Sequence, residues 1–502
     1  MRSSTLTLQL SSKPPWKCTQ TPHSLQLLLL LLIISLGVLC CGSECSRHDF
    51  PQNPNLVFGF ATSAYQVEGA ANQDGRTPSI WDTFSHAGQA AGGATGDVAC
   101  DQYHKYKEDV QLMADLGLEA YRFSISWSRL IPYGRGPVNP KGLQYYNNLI
   151  NELLSHGIQP HVTLCNYDLP QALEEDYGGW IGRNIVKDFA TYADVCFREF
   201  GDRVKYWSTI NEPNVFAQGG YDAGVLPPQR CSPPFGRVNC TRGNSSTEPY
   251  IAAHHILLAH ASAVRLYRKK FQQTQHGFIG LCIYAIWFTP LSDSKEDIIA
   301  TRRANDFVIG WMLDPLVFGD YPNSMKQIAG SRIPAFTKAE SELVKGSFDF
   351  IGIVHYFPLS VKDNSRVLEY EYRDYYMDQA IVNPGGFDMT TVEVVIAPWS
   401  LEGVLEYLKR VYGNPPVFIY ENGQRLLRNT TVEDTPRVEY MEAYIEGVLN
   451  AVRNGSDTRG YFTWSFLDGY ELARSGDTAY GLCYIDLDDP DLKRYPKLSA
   501  QW

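Results

Sequence analysis

Two short β-favouring runs, each finishing on a glutamate, constrain this chain more than any other feature. Val417–Tyr420 is apolar and either β-branched or aromatic, follows Pro415-Pro416, and is closed by Asn422-Gly423. Such a run fits a short strand buried on both faces. It delivers Glu421 to the strand's C-terminal end. Alone, Glu421 reads equally well as a structural strand-end acid, facing solvent or paired with an arginine, and as a functional carboxylate. Val204–Pro213 repeats the pattern, with aromatic and β-branched residues leading into Asn211-Glu212-Pro213. In a parallel barrel the C-terminal ends of all strands open on one mouth. Two glutamates far apart in sequence can then face each other.

A facing pair of carboxyls has a specific use. Glycosidic cleavage with retention needs one acid/base and one nucleophile roughly 5–5.5 Å apart. Thr209–Pro213 (TINEP) and Tyr420–Gly423 (YENG) resemble the two signatures of glycoside hydrolase family 1, the β-glucosidases. The resemblance runs from about Asp49 to Trp502 and is closest to the plant members. It implies Glu212 as proton donor and Glu421 as nucleophile, with Asn211 beside them in sugar binding. It also implies no cofactor. No Gly-rich phosphate loop, His-Glu-x-x-His or paired Cys-x-x-Cys appears in the sequence, and no metal ligand set is read.

The 502 residues are ordinary in hydrophobic and charged content, and the net charge of −11 carries no basic stripe, which argues against nucleic acid. The N-terminus differs from the rest. Arg2, Lys13 and Lys17 precede an apolar run, Leu27–Ile34, extended through Cys41 and followed by Gly42 and Ser43. This pattern is a secretory signal over residues 1–43, with the barrel domain over 44–502. The alternative is a membrane anchor, for which the apolar stretch is short. Removal of the signal would leave no stable membrane insertion. Cys231 and Cys240 bracket a short loop with two prolines, which a secreted chain can close as a disulfide, as plant family members do. Cys100, Cys165, Cys196, Cys282 and Cys483 read as buried free thiols. Asn239, Asn244, Asn429 and Asn454 head Asn-x-Ser/Thr sites and agree with secretion to the apoplast or vacuole.

Along the chain, strands and amphipathic helices alternate. Phe58–Gly69 reads as a strand end carrying Gln66, which resembles the family's sugar-binding amide. Ala120–Ile125 carries Arg122, a cation in an apolar strand that needs an anionic partner. The family places it under the nucleophile; another acid is the alternative. Phe350–Tyr356 carries Tyr356, matching the family's tyrosine on the nucleophile. His355 falls on the opposite side by strand alternation and reads as a structural histidine. Trp464 at the end of Gly460–Trp464 offers a stacking face, or packs in the core. Glu471 and Tyr480 follow it as hydroxyl acceptor and pocket-closing aromatic. Helices are predicted at Tyr103–Leu116, Tyr145–Ser155, Asp188–Phe200, Tyr250–Phe271, Asn305–Val317, Ala339–Lys345, Leu401–Tyr412 and Glu439–Asn454. Val361–Val395 lacks periodicity and reads as a long loop over the site.

Three positions depart from the family pattern. Asn166 stands for a histidine, Val354 for an asparagine and Leu472 for a tryptophan. The expectation is a single (β/α)8 TIM barrel with loop insertions, acting on a small-molecule β-glucoside of a plant metabolite by double displacement. Two alternatives share the scaffold. One is a transglucosidase or acyl-glucose-dependent glucosyltransferase to a phenolic or anthocyanin acceptor. The other is a sugar-binding relative with little turnover, which the three departures keep open.

Overall fold

A computed structural model describes residues 56–384, 395–428, 432–472 and 478–502. Residues 1–43 and Asn429 lie outside the described residues. Eight parallel strands close into a barrel: β1 (Val57–Ala61), β2 (Ala120–Ser124), β3 (Gln159–Cys165), β4 (Tyr206–Asn211), β5 (Phe278–Tyr284), β6 (Phe350–Val354), β7 (Val417–Asn422) and β8 (Thr458–Trp464). Each pairs with its neighbours in chain order, and β1 closes on β8 with Val57 opposite Gly460 and Ala61 opposite Trp464. Helices Gln102–Asp115, Pro140–Ser155, Ile185–Phe200, Glu248–Lys270, Pro398–Tyr412 and Thr435–Arg453 alternate with these strands.

The barrel interior is filled mainly with aromatics. Phe350, Phe418, Tyr420, Phe462 and Trp464 share one buried cluster with Ala61, Ala120, Cys282 and Val354. Tyr420 lies against Gly352 across the β6–β7 pair. A Cβ on Gly352 would come within 2.7 Å of the Tyr420 ring, so the large residue on one strand needs the small one on the next.

The runs read as strands around Phe58, Ala120, Val204, Phe350, Val417 and Gly460 are barrel strands; several other expectations need correction. Val361–Val395 is not a structureless loop as far as it is described. Trp287–Pro290, Pro358–Asp363 and Ile381–Val382 form a three-stranded sheet, with a short helix at Tyr375–Asp378. The helix expected over Asn305–Val317 begins earlier. Lys295–Asn305 is helical, Asp306–Gly310 is a π-helical turn, and Trp311–Phe318 continues the run. Cys231 and Cys240 form a disulfide, and the five other described cysteines are buried and free. No helix among the described residues is long and apolar enough to cross a membrane.

Candidate active site

Both glutamates arrive at the same end of the barrel, each beside a break in strand register. On β7 the pairing slips between Ile419 and Glu421 against β6, where Glu421 faces Val354. Phe418 and Tyr420 stack on one side of the strand, at 5.5 Å between ring centroids. Regular alternation would turn Glu421 to the helix side; the irregularity re-aims it into the mouth. On β4 the pairing with β5 slips between Ser208 and Asn211, and Asn211 is re-aimed likewise. Gly423 allows β7 to end there, because a Cβ at that position would sit 1.9 Å from the Trp464 carbonyl oxygen.

Glu421 is held at both oxygens. Arg122 Nη1 donates to Oε1 at 2.6 Å, Asn211 Nδ2 donates to the same oxygen at 3.1 Å, and the Tyr356 hydroxyl donates to Oε2 at 3.2 Å. Arg122 Nη2 donates to Asn211 Oδ1 at 2.6 Å, which fixes the amide flip and closes a ring of three side chains. The Arg122 guanidinium also lies over the Tyr420 ring, 5.0 Å from its centroid. The partner expected for Arg122 is thus Glu421. Both are almost fully buried, so their charges are compensated by each other rather than by water.

Glu212 takes the position just past β4 with φ 44° and ψ 52°, a left-handed conformation uncommon for a glutamate. Its N–H bonds the Cys282 carbonyl at 2.9 Å, and Pro213 opens the helix Pro213–Tyr221 behind it. Burial, then the neighbouring Glu421 anion, pushes its carboxyl up to about 8. The Tyr167 hydroxyl donates to Oε2 of Glu212. Reading the sequence for carboxyls and amides missed Tyr167. The visible signal was only that a tyrosine followed Asn166 in the mouth segment.

The remaining expected residues vary. Gln66 is not at a strand end but in the short helix Ala64–Val67. Its amide already accepts from Ser63 Oγ at 2.7 Å and donates to the Tyr470 carbonyl at 2.7 Å. Asn166 is buried, and its Oδ1 has no hydrogen-bond partner among the described residues. Tyr480 packs on Tyr356 at 5.6 Å, and Tyr356 on Tyr284 at 6.0 Å, making a tyrosine wall. Trp464 ends β8 within the core cluster. Burial raises Glu471 to about 8, opposed by the Arg428 cation. His355 is structural: Nδ1 bonds the Ala285 carbonyl at 2.7 Å and Nε2 the Ser400 hydroxyl at 2.8 Å. Val354 is wholly buried in the core cluster. Asn239, Asn244 and Asn454 are exposed.

The model of glycosyl hydrolase family 1 matches residues 46–502. "Beta-glucosidase 11" of Arabidopsis thaliana is 56% identical over 507 residues, 95% of each chain. An acyl-glucose-dependent cyanidin 3-O-glucoside 7-O-glucosyltransferase of Delphinium grandiflorum is 53% identical over 494 residues, 96% of each. A rice β-glucosidase mutant, solved in a covalent complex with Glc, superposes with a TM-score of 0.86 at 44% identity, covering 91% of this chain and 98% of that one. With the eight-stranded barrel and the two glutamate strands, these matches place the chain in glycosyl hydrolase family 1.

Proposed function

We propose that Glu421 is the nucleophile and Glu212 the acid/base of a retaining β-glucosidase acting on glucosides of plant metabolites. Membership of the family makes the chain an O-glycosyl hydrolase that works by retention. The observation that carries the role assignment is the contrast between the two carboxyls. Glu421 accepts from an arginine, an amide and a tyrosine, all of which favour the carboxylate. Glu212 is pushed toward the neutral acid by burial and by that anion. A carboxylate beside a neutral acid is the resting state that double displacement requires. Glu421 attacks the anomeric carbon while Glu212 protonates the leaving oxygen. Glu212 then takes a proton from water, whose oxygen displaces Glu421.

For the sugar itself, Asn166 supplies a buried acceptor with no partner among the described residues. Trp464, Tyr480 and Glu471 complete the reading of its pocket. Gln66 would reach a sugar only through lone-pair and N–H capacity beyond the bonds it already makes. The apolar run at Leu27–Ile34, the disulfide and the exposed sequons support passage through the secretory pathway to apoplast or vacuole.

Glu421→Gly tests the assignment. Turnover is expected to vanish, and added azide or formate to restore a glycosyl product of inverted configuration. A variant that keeps most of its activity without an added anion would remove Glu421 from the mechanism. Transfer to a phenolic acceptor is the second reading. It is favoured by the Delphinium relative, because one glucosyl-enzyme intermediate serves water and phenol alike. Incubation with an acyl glucose, with and without a phenol, shows where glucose goes.

A further inference from the structure

Tyr167 has no part in the double displacement assigned to Glu421 and Glu212. It lies in the segment after β3 with φ 69°, and its ring stacks on Phe216 at 5.3 Å and 24°. Phe216 belongs to the helix Pro213–Tyr221, which Glu212 caps. The tyrosine ring is therefore clamped by the element that carries the acid. Its hydroxyl donates to one oxygen of Glu212, Oε2. Burial, then the Glu212 charge, holds the phenol well above its ordinary value, so it keeps its proton across the working range.

Glu212 has other titratable and charged neighbours. Burial aside, Glu421 on β7 favours its proton; Arg122 on β2 opposes it, as does the bond from Tyr167. Tyr284 at the end of β5, Tyr356 beyond β6, Tyr480 and Cys282 also lie within electrostatic reach of it. Tyr167 differs from these in donating to the carboxyl directly. Once Oε2 accepts that bond, the two oxygens are no longer equivalent. The exchangeable proton of neutral Glu212 belongs on Oε1.

We propose that Tyr167 is the positioning residue of the acid/base: it occupies Oε2, assigns proton transfer to Oε1, and stabilises the carboxylate left after the proton has gone. The proposal rests on Glu212 being the acid/base. In the first step the Oε1–H bond breaks and the proton passes to the glycosidic oxygen. The C–O bond breaks with its electron pair going to that oxygen, and Glu421 bonds the anomeric carbon. In the second step the incoming oxygen bonds the anomeric carbon, the bond to Glu421 breaks with its electron pair returning to that carboxylate, and the incoming hydroxyl's proton passes to Oε1. Tyr167 keeps its own proton throughout. Its donation helps most when Glu212 is anionic, at the end of proton donation and during activation of water or a phenolic acceptor.

Tyr167→Phe preserves the ring and its stack on Phe216 and removes only the donor. The basic limb of kcat/KM should move up by about 1 pH unit. Below that limb, kcat/KM on an alkyl β-glucoside, whose leaving oxygen must be protonated, should fall roughly tenfold or more. On 2,4-dinitrophenyl β-glucoside, which leaves without a proton, it should stay within about twofold. Equal losses on both substrates with an unmoved limb would overturn the proposal. Incorporation of 3-fluorotyrosine at position 167 provides a second arm with the fold intact. Its more acidic phenol donates more strongly and should move the limb down; no shift, or a shift up, counts against the proposal. Glu212→Ala with azide separates the two levels of the argument. Failure to form a glycosyl azide of retained configuration would sink the acid/base reading itself. Its formation, with a pH profile indifferent to position 167, would sink only the role of Tyr167.

Discussion

Arg122→Met tests the buried charge pair at the centre of the site. In the native protein Glu421 Oε1 accepts from Arg122 at 2.6 Å and from Asn211 at 3.1 Å, and Arg122 also fixes Asn211 at 2.6 Å. Arg122 is 1% exposed and Glu421 4%, so water cannot take over the arginine's role. Methionine fills much of the lost stem and leaves the anion with only an amide and a phenol. Breaking a buried pair by removing one partner costs about 3–5 kcal/mol, mostly because the other charge stays buried. Glu421→Gln removes that charge, so the double variant should recover a good part of the loss, about 2 kcal/mol or more. Urea unfolding followed by tryptophan fluorescence, on wild type, both single variants and the double, measures each leg of the cycle. The same loss applied to the reaction barrier corresponds to about a hundredfold or more in kcat/KM on an aryl β-glucoside. A loss below about 1 kcal/mol for Arg122→Met, or a double variant no more stable than it, would refute the reasoning.

Other outcomes follow from the same structure. With Glu212 raised to about 8 it works as an acid below that pH, so kcat/KM should hold through neutrality and fall above about 8; a flat profile well beyond that would remove Glu212 as the titrating acid. A carboxyl raised on folding stabilises the fold at low pH and loses that contribution as pH rises through its folded value, so Glu212→Gln should flatten the decline in stability between the ordinary carboxyl range and about 8. Opening the Cys231–Cys240 bridge, which spans a sequence separation of 9, by double substitution to serine should cost roughly 2–3 kcal/mol in thermal or urea unfolding. Protein made in plant cells should start within a few residues of Ser43 and lose mass on deglycosylation, with glycans on exposed Asn454 and on at least one of Asn239 and Asn244; an intact Met1 with no glycan would contradict the secretory reading.

The barrel was legible because buried parallel strands leave a strong mark: short apolar, β-favouring runs between turn residues and amphipathic helices. The helix Lys295–Asn305 left a weaker one. It is rich in charge and buries little apolar surface, chiefly Ala300 and Ala304, so no wide hydrophobic stripe announces it. The segment after β6 was opaque for a related reason. Pro358–Asp363 buries only Val361 among its residues, so its sheet rests on pairing with Trp287–Pro290 and Ile381–Val382 rather than on a readable alternation.

Within the site, the residue types were easier to read than their aim. Strand alternation predicts facing directions only while register is kept, and both glutamate strands break register beside the residues that matter. Gln66 matched a motif, yet its surroundings already use its amide. The hydroxyl of Tyr167 finds its partner 45 residues further along the chain, a pairing that no local pattern encodes. The three departures illustrate the same limit. In sequence, Asn166, Val354 and Leu472 look like equal losses of sugar contacts. In the fold they are not equivalent: Val354 packs wholly inside the core cluster opposite Glu421, whereas Asn166 keeps a buried acceptor without a partner among the described residues. At position 354 an amide's hydrogen-bonding capacity has given way to packing against the strand that carries Glu421. At position 166 hydrogen-bonding capacity remains. The case for a crippled sugar-binding relative therefore cannot count three missing hydrogen bonds. Arg122 holds Glu421, and burial with that neighbour raises Glu212; none of the three departures removes either feature, on both of which double displacement depends.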